Sequence, residues 1–522
     1  MKKSFTIVLI ICSLLFASSI SSQTDVPIPF EQEGFIYDYP NGSMLVLDVG
    51  ENLFEVSDSL NVTLNDKTQF TDKKGKKQVK IEDLVPGSKV KVVGERSRAN
   101  STYTALKVQL VDPPKEFKVK GYFERLDKTS AGEIAWVSGQ AVKLGTGVSI
   151  VGDDEWKGKT FASFNDMMLG SKVEMKIKMD PNDKRFVVLE GKTKPNLYSF
   201  NDKKLKESVQ KESSKYVNGL TASDVKVNIN APGQWEFKNR ESGQVVIGQI
   251  PKPKPETPDT YQVTVAGKQY DLTTLPKYVE SVGNKIIPQY IRDLPDNDPG
   301  KIKFKFFVAK DDNFNAFALP DGTIVVHTGL LQTIRNESQL ASVLGHEIAH
   351  VTHEHSRRQM ESGNKLAWIQ FLSTAATGIN TGTFMNLIKL GFSRQLEDEA
   401  DRVGLFYTAN AGYDPRESPR VWQQIVDAKG KTNETKNFFT SGHSIPEDRL
   451  KNLNKEIYRH YKNYDFATTD RGEISYALNV GTAFGWVDYS PKKGNAVVPT
   501  EKATPKPTPK PTSKPKPKPK KP

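Results

Sequence analysis

The chain has 522 residues, 36% hydrophobic and 26% charged, with a net charge of +12 and a mean hydropathy of −0.54. That length exceeds one ordinary core and predicts two to four domains, while the polarity excludes a polytopic membrane protein. The single cysteine, Cys12, excludes a disulfide scaffold and a thiolate metal site, so any metal must be held by His, Asp or Glu.

The N-terminus, "MKKSFTIVLIICSLLFASSISSQ", reads as a secretory signal over residues 1–22. Lys2 and Lys3 form the basic start, Phe5 to Phe16 the apolar core, and the small residues around Ala17 to Ser22 the cleavage zone, with cleavage around 19–22. The apolar run is too short for a span of about 20 residues, and Ile11 before Cys12 speaks against lipidation. The mature protein is expected to be exported, periplasmic or extracellular, with no lasting transmembrane span.

Two similar segments follow. "IEDLVPGSKVKVV" (81–93) matches "FNDMMLGSKVEMK" (164–176) at an offset of 83 residues, aligning Asp83 with Asp166 and Gly87 with Gly170. Alternating apolar runs around each copy, punctuated by Gly, Asn and Asp, predict short strands and turns. Residues 27–115 and 116–197 thus read as two tandem all-β modules, loosely OB-like, with no catalytic constellation and a binding or spacing role. Residues 198–259 form a connecting segment: a charged helix, short strands, and the linker "PKPKPETPD" (251–259). A mainly helical domain with a small sheet is expected over 260–485. In it "LPKYVESVGNKIIPQYI" reads as an amphipathic helix and "KIKFKFFVA" as a strand. "NAFALPDGTIVVHTG" reads as strand, turn and strand, turning at Pro320-Asp321-Gly322. Residues 486–522 read as a disordered tail. Its last 22 residues carry eight lysines, eight prolines and one glutamate, leaving +5 for the rest of the chain. Such a tail is polyproline-like and suits an anionic surface, membrane or cell wall, or serves as a solvated spacer. No nucleic-acid partner is expected, because no aromatics interleave the basic run. The fold class is α+β, multidomain.

"NESQLASVLGHEIAHVTHEHSRR" reads as one helix, with Asn336 as N-cap and Gln339 three residues on. Leu340, Val343, Leu344, Ile348 and Val351 form its apolar stripe. His346 and His350 fall about 40° apart on one face, where two imidazoles can share an ion. Glu347 lies beside them, placed to take a proton from a metal-activated water, the logic of H-E-x-x-H. His353 is too far along a straight helix, about 10 Å from His346, to join the same ion. No glycine breaks the helix before His355, so His353 and His355 read as packing or supporting residues and Glu354 as solvated. In "SRQLEDEADRVGLFY" (393–407) Glu397 and Asp401 share one face of a second helix and Glu399 lies on the other; a carboxylate ligand and a carboxylate that orients a histidine ligand are both available there. "LAWIQFLSTAATGI" and "FMNLIKLGF" are too short to span a bilayer and read as core helices, a flap or a membrane-facing hairpin.

"GHEIAH" followed by "EDEAD", with "NAFALPDGTIVVHTGLL" before and "SGHSIPEDRL" after, resembles the CAAX-prenyl-endopeptidase-like zinc metallopeptidases, closest to the soluble, periplasmic BepA-like branch of these gluzincins. The resemblance covers residues 260–465. It implies one zinc ion per chain held by His346, His350 and Glu397, Glu347 as general base and Asp401 as the partner of a ligand histidine. It also implies that Asn315, Ala316, Phe317 and Ala318 form an edge strand for an extended peptide substrate. His443 and Arg449 match a family histidine and arginine near the site, either for the oxyanion or, for His443, for capping the open metal position. The sequence departs from the family here, with Ser444 after that histidine and proline delayed to Pro446. The function so implied is a secreted or periplasmic zinc endopeptidase acting on peptide or unfolded protein in envelope quality control. The alternative is a non-proteolytic, zinc-binding chaperone or surface-binding protein working through its β-modules and basic tail.

Overall fold

The computed structural model describes residues 27–41, 44–48, 59–97, 102–182 save 115, 131 and 181, 185–194, 203–223, 233–238, 243–250, 260–363 save 299, 392–429, and 446–490 save 462, 463, 467, 468 and 487. The signal sequence, the apolar pair within 364–391, His443 and the Lys/Pro tail lie outside these residues.

The alternating runs at the front of the chain form two sheets with the same strand order. In the first, β1 (Ile28–Asn41), β2 (Met44–Asp48) and β3 (Ser59–Thr63) make an antiparallel meander. Strand β4 (Lys89–Arg96) pairs with β1, and β5 (Tyr103–Asp112) pairs with β4 and, in parallel, with β3, closing the ring. In the second, β6 (Glu116–Thr129), β7 (Gly132–Val137) and β8 (Gln140–Leu144) form the meander. There β9 (Lys172–Asp180) pairs with β6, and β10 (Arg185–Lys194) closes in parallel onto β8. Each ring surrounds its own apolar core, Ile36, Leu45, Val62, Val90 and Val108 in one, Val119, Val137, Ile177 and Val188 in the other.

The aligned glycines explain why these short segments coincide. Gly87 has φ +86° and Gly170 φ +79°, a region that an L side chain enters only at a cost. Gly87 donates its N–H to Ile36 O while the Ile36 N–H donates to Ser88 O; Gly170 and Ser171 make the same pair with Phe123. The tight turn pins the strand that follows it to a bulged position on the first strand. Ser88 and Ser171 are both fully buried beside it.

The described residues divide into two units, one drawn from 1–224 with 279–472 and the other from 225–278 with 473–522. The second contains a five-stranded sheet in which Gly233–Lys238, Val245–Ile250, Thr260–Val265 and Lys268–Thr273 form a meander, joined by Asp488–Ser490. Its core holds Trp235, Val263, Leu272 and Leu478.

The first unit also carries helix α1 (Lys203–Asn218) and a three-stranded sheet ordered β11 (Lys305–Ala309), β13 (Thr323–His327), β12 (Ala316–Ala318). Its longer helices are α2 (Leu275–Ile286, from Val279 on), α3 (Glu337–Thr352), α4 (His355–Gly363), α5 (Arg394–Asn410), α6 (Glu417–Lys429) and α7 (Pro446–His460). The turn between β12 and β13 falls at Pro320-Asp321-Gly322, with Gly322 at φ +91°. β12 is an edge strand and packs against α3. Among the described residues no helix is long and apolar enough to cross a membrane.

The expected single helix through the histidines is two. α3 ends at Thr352 and α4 begins at His355, with Glu354 between them at φ +53°. A non-glycine residue there costs about 1–2 kcal/mol, and buried charge offsets it: Glu354 is not solvated but 6% exposed, bonded at 2.5 and 2.8 Å by Arg357, with Lys172 of β9 at 3.7 Å.

Replacing Gly170 with Val should lower the stability of the folded protein by about 1–3 kcal/mol through the left-handed backbone alone. A shift in the denaturant midpoint measures it; an unchanged midpoint would show that the turn tolerates a side chain.

Candidate metal centre

Helix α3 starts where its sequence requires, the Asn336 side chain accepting the Gln339 N–H at 2.9 Å. It is buried on nearly every side, so the histidine face has to meet another element rather than water. That element is α5. The two helices touch at Gly345 and Gly404, where a Cβ on Gly345 would lie 2.8 Å from the Gly404 carbonyl oxygen and one on Gly404 2.7 Å from the His346 nitrogen. Periodicity alone assigns neither glycine a packing role, although a glycine inside a helix pattern is a cost that asks for one.

The close crossing brings the predicted side chains together. His346 Nε2 lies 3.0 Å from His350 Nε2, and Glu397 places Oε2 3.5 Å from the first and Oε1 3.5 Å from the second. A tetrahedral ion about 2.1 Å from each donor sets its ligands about 3.4 Å apart. The three donors therefore fit one small, tetrahedral cation, and two neutral imidazoles with one carboxylate are a suitable donor set for zinc. All three side chains are at most 4% exposed. Glu347, 2% exposed, follows His346 directly on α3.

Asp401 receives the far nitrogen of His346, Nδ1 to Oδ1 at 3.0 Å. Arg449, from α7, grips Asp401 with Nε at 2.8 Å and Nη2 at 2.6 Å, and reaches Glu397 Oε2 with Nη1 at 2.9 Å. Its guanidinium carbon sits 3.6 Å over the Trp422 ring of α6. Arg449 is thus 1% exposed and spans two carboxylates on α5. Burial works to raise the Asp401 carboxyl, but the charge and hydrogen bonds of Arg449, with the bond from His346, hold it below its usual value. Against burial and Arg449, the carboxylates of Asp401 and Glu397 draw His346 up to about 9. The pocket is electrostatically set for a cation.

His353 and His355 are not part of this triangle. His353 Nδ1 bonds Glu399 Oε1 at 2.7 Å, and Arg358 forks Glu399 at 2.8 and 2.9 Å. Burial works to raise the Glu399 carboxyl, yet Arg358 first and the two histidines next hold it well below the carboxylate range. His355 Nδ1 lies 2.8 Å from His350 Nδ1, and burial pushes its pKa down to about 4. Phe392 stacks on His350 at 4.0 Å between centroids.

The back of this cluster rests on the second barrel. Tyr122 of β6 lies under Arg358, 4.3 Å from ring centre to guanidinium, and its hydroxyl is 3.4 Å from Arg357. Glu124 pairs with Arg402 at 3.0 Å, and Arg125 meets His460 at 3.1 Å. The candidate edge residues Asn315, Ala316 and Phe317 are buried and Ala318 is half-buried, with β12 beside α3.

A Gly345→Ala change should force the α3–α5 crossing apart, costing about 1–3 kcal/mol of stability by overpacking and weakening divalent-metal binding. Thermal unfolding and chelator competition on the same sample measure both. Wild-type values in each would mean that the glycine contact does not set the site.

Residues 277–457, from within α2 to within α7, match peptidase family M48. The Beta-barrel assembly-enhancing protease of Escherichia coli (strain K12) is 32% identical over 192 residues, 34% of this chain and 37% of that protein. The Mitochondrial metalloendopeptidase OMA1 of Schizosaccharomyces pombe is 31% identical over 188 residues, 35% of this chain and 53% of that protein. The corresponding Arabidopsis thaliana protein is 36% identical over 129 residues, 24% and 26% of the two chains. The chain thus spans little more than a third of the length of the Escherichia coli protein, and the CAAX-prenyl group is a near relative of the family matched. Residues 277–457 are a peptidase family M48 domain, homologous to these metallopeptidases.

Proposed function

We propose that this protein is an exported zinc endopeptidase that hydrolyses peptide bonds in extended or unfolded protein. The carrying observation is the triangle of His346, His350 and Glu397 donors at 3.0–3.5 Å, with Glu347 on the same helical turn. Zinc bound by these three would supply Lewis acidity, polarising a peptide carbonyl and acidifying water. Glu347 takes the proton of the attacking water and returns it to the leaving amine. Asp401 keeps His346 turned toward the cluster through its Nδ1–H, and Arg449 keeps Asp401 and Glu397 charged and in place. In this reading Arg449 acts behind the ligands, and His443 is left as the side chain for the oxyanion.

The edge position of β12 beside α3 supports substrate binding by strand addition along Asn315 to Ala318. The shared strand order of the two barrels, a meander closed by two further strands, supports their reading as repeated OB-like binding modules. The Lys/Pro tail adds a contact for an anionic envelope surface, and the N-terminal signal sets export. A part in envelope protein quality control rests on the likeness to the Escherichia coli protease and on that signal.

Glu347→Gln should keep one zinc per chain and cut casein cleavage by about 10²–10⁴-fold, the usual weight of a general base. Cleavage at the wild-type rate with zinc retained would sink the hydrolytic mechanism. Stoichiometric zinc without cleavage by either protein would favour a closed, non-proteolytic site.

Zinc content also tests the third ligand. Glu397→Ala should lose the metal while Glu399→Ala retains it at reduced affinity. The reverse pattern would transfer the ligand role to Glu399.

A further inference from the structure

His355 lies outside the three-donor triangle, yet its ring is fully buried against it. His350 turns Nε2 toward His346 and Glu397, so Nδ1 is its far nitrogen, and that atom is 2.8 Å from His355 Nδ1. Two imidazole nitrogens at that distance share one proton, one donating and the other accepting. If His355 donated, His350 would carry its proton on Nε2 and have no lone pair for an ion.

The surroundings of His355 decide between the two tautomers. Its Nε2 faces Glu399 Oε1 at 3.5 Å, a contact long for a hydrogen bond, beside a carboxylate that Arg358 holds anionic through both oxygens. That charge favours the proton on Nε2 and leaves Nδ1 as the acceptor. His350 must then donate from Nδ1, which frees Nε2 for the triangle. We infer that His355, backed by Glu399 and Arg358, is a positioning residue that fixes the tautomer and ring orientation of His350. The inference rests on the metal-site reading above.

The break after Thr352 is what permits this contact. On a continuous helix residues five apart point about 140° away from each other. With Glu354 at φ +53°, α4 starts afresh and His355 folds back onto His350. His353, His355 and Glu399 also form a compact donor group that could itself hold an ion. Two features favour the relay over that use. His353 Nδ1 and Glu399 Oε1 are 2.7 Å apart, a hydrogen-bond separation rather than the about 3.4 Å between two ligands of one tetrahedral ion. Arg358 already occupies both Glu399 oxygens.

The test uses the full chain with three variants. His355→Leu keeps bulk and removes the acceptor, His355→Asn keeps an oxygen where Nδ1 stood, and Glu399→Gln removes the charge that holds the proton at Nε2. Zinc affinity by chelator competition and the visible spectrum of the cobalt(II) protein are read for each. His355→Leu and Glu399→Gln should weaken zinc about 10–100-fold and shift the cobalt bands, while His355→Asn stays within a few-fold of wild type. If His355→Leu does not fold, Glu399→Gln against His355→Asn carries the comparison. Wild-type affinity and spectrum in Leu and Gln variants, or equal losses in Leu and Asn variants, would overturn the inference. So would two zinc ions in the wild type and one in His355→Leu, which would make the second group a metal site. His350→Ala separates the two readings. If wild type binds no zinc, or His350→Ala keeps it, the metal site itself fails. If one ion is bound and lost in His350→Ala while His355→Leu behaves as wild type, only the positioning role fails.

Discussion

Everything at the centre of this molecule depends on two helices being allowed to touch backbone to backbone. Gly345 on α3 and Gly404 on α5 remove the side chains that would otherwise keep the axes apart. Residues one position or one to two turns from that contact, His346 and His350 on one helix and Asp401 and Glu397 on the other, then face each other at bonding distance. A wider crossing would leave the same residues in the same order on the same faces, too far apart to share an ion. The crossing distance sets the chemistry as much as the motif does.

The second constraint is charge. Glu397, Glu399 and Asp401 are all buried on a single helix, and buried carboxylates without cations would take up protons or unfold the helix pair. Two arginines prevent this from opposite sides: Arg449 spans Glu397 and Asp401, and Arg358 forks Glu399. Each guanidinium also lies over an aromatic ring, Trp422 or Tyr122, which shields it without offering another hydrogen-bond acceptor on that face. The result is that three of the four buried acids of this helix are divided between two separately neutralised clusters, only one of which has the open geometry of a metal site; the fourth, Asp398, accepts from Asn452 and is pushed up by burial to about 6.

Much of this was legible in the sequence because it is local. The i, i+4 spacing put His346 with His350 and Glu397 with Asp401, and the structure has each pair on one face. The matching Gly-Ser-Lys-Val segments announced two similar modules, and their turns make the same pair of backbone hydrogen bonds at Gly87 and Gly170. What stayed hidden is non-local or lacks a residue signature. The helix break after Thr352 uses a glutamate where glycine is the usual marker, and burial of Glu354 depends on Arg357 and on Lys172, far away in sequence. The return of Asp488–Ser490 to a sheet begun at Gly233 has no local pattern at all. The burial of Arg449 likewise needed the positions of three helices before it could be read.

The seam between the second barrel and the helices carries a consequence for how such a protein can be cut or recombined. The segment shared with relatives, 277–457, excludes Tyr122, Glu124, Arg125 and Lys172. Those four side chains meet Arg358, Arg402, Glu354 and, three residues past the shared segment, His460 on the helical side. A fragment trimmed to the shared segment would therefore take Glu124 from Arg402, a buried pair whose loss costs about 3–5 kcal/mol, and would uncover Arg358 and Glu354, which keep Glu399 and Arg357 as partners. The smallest portable piece is the helical domain together with the barrel behind it, and grafting that domain onto a different partner would require the partner to bring an equivalent aromatic and acidic face.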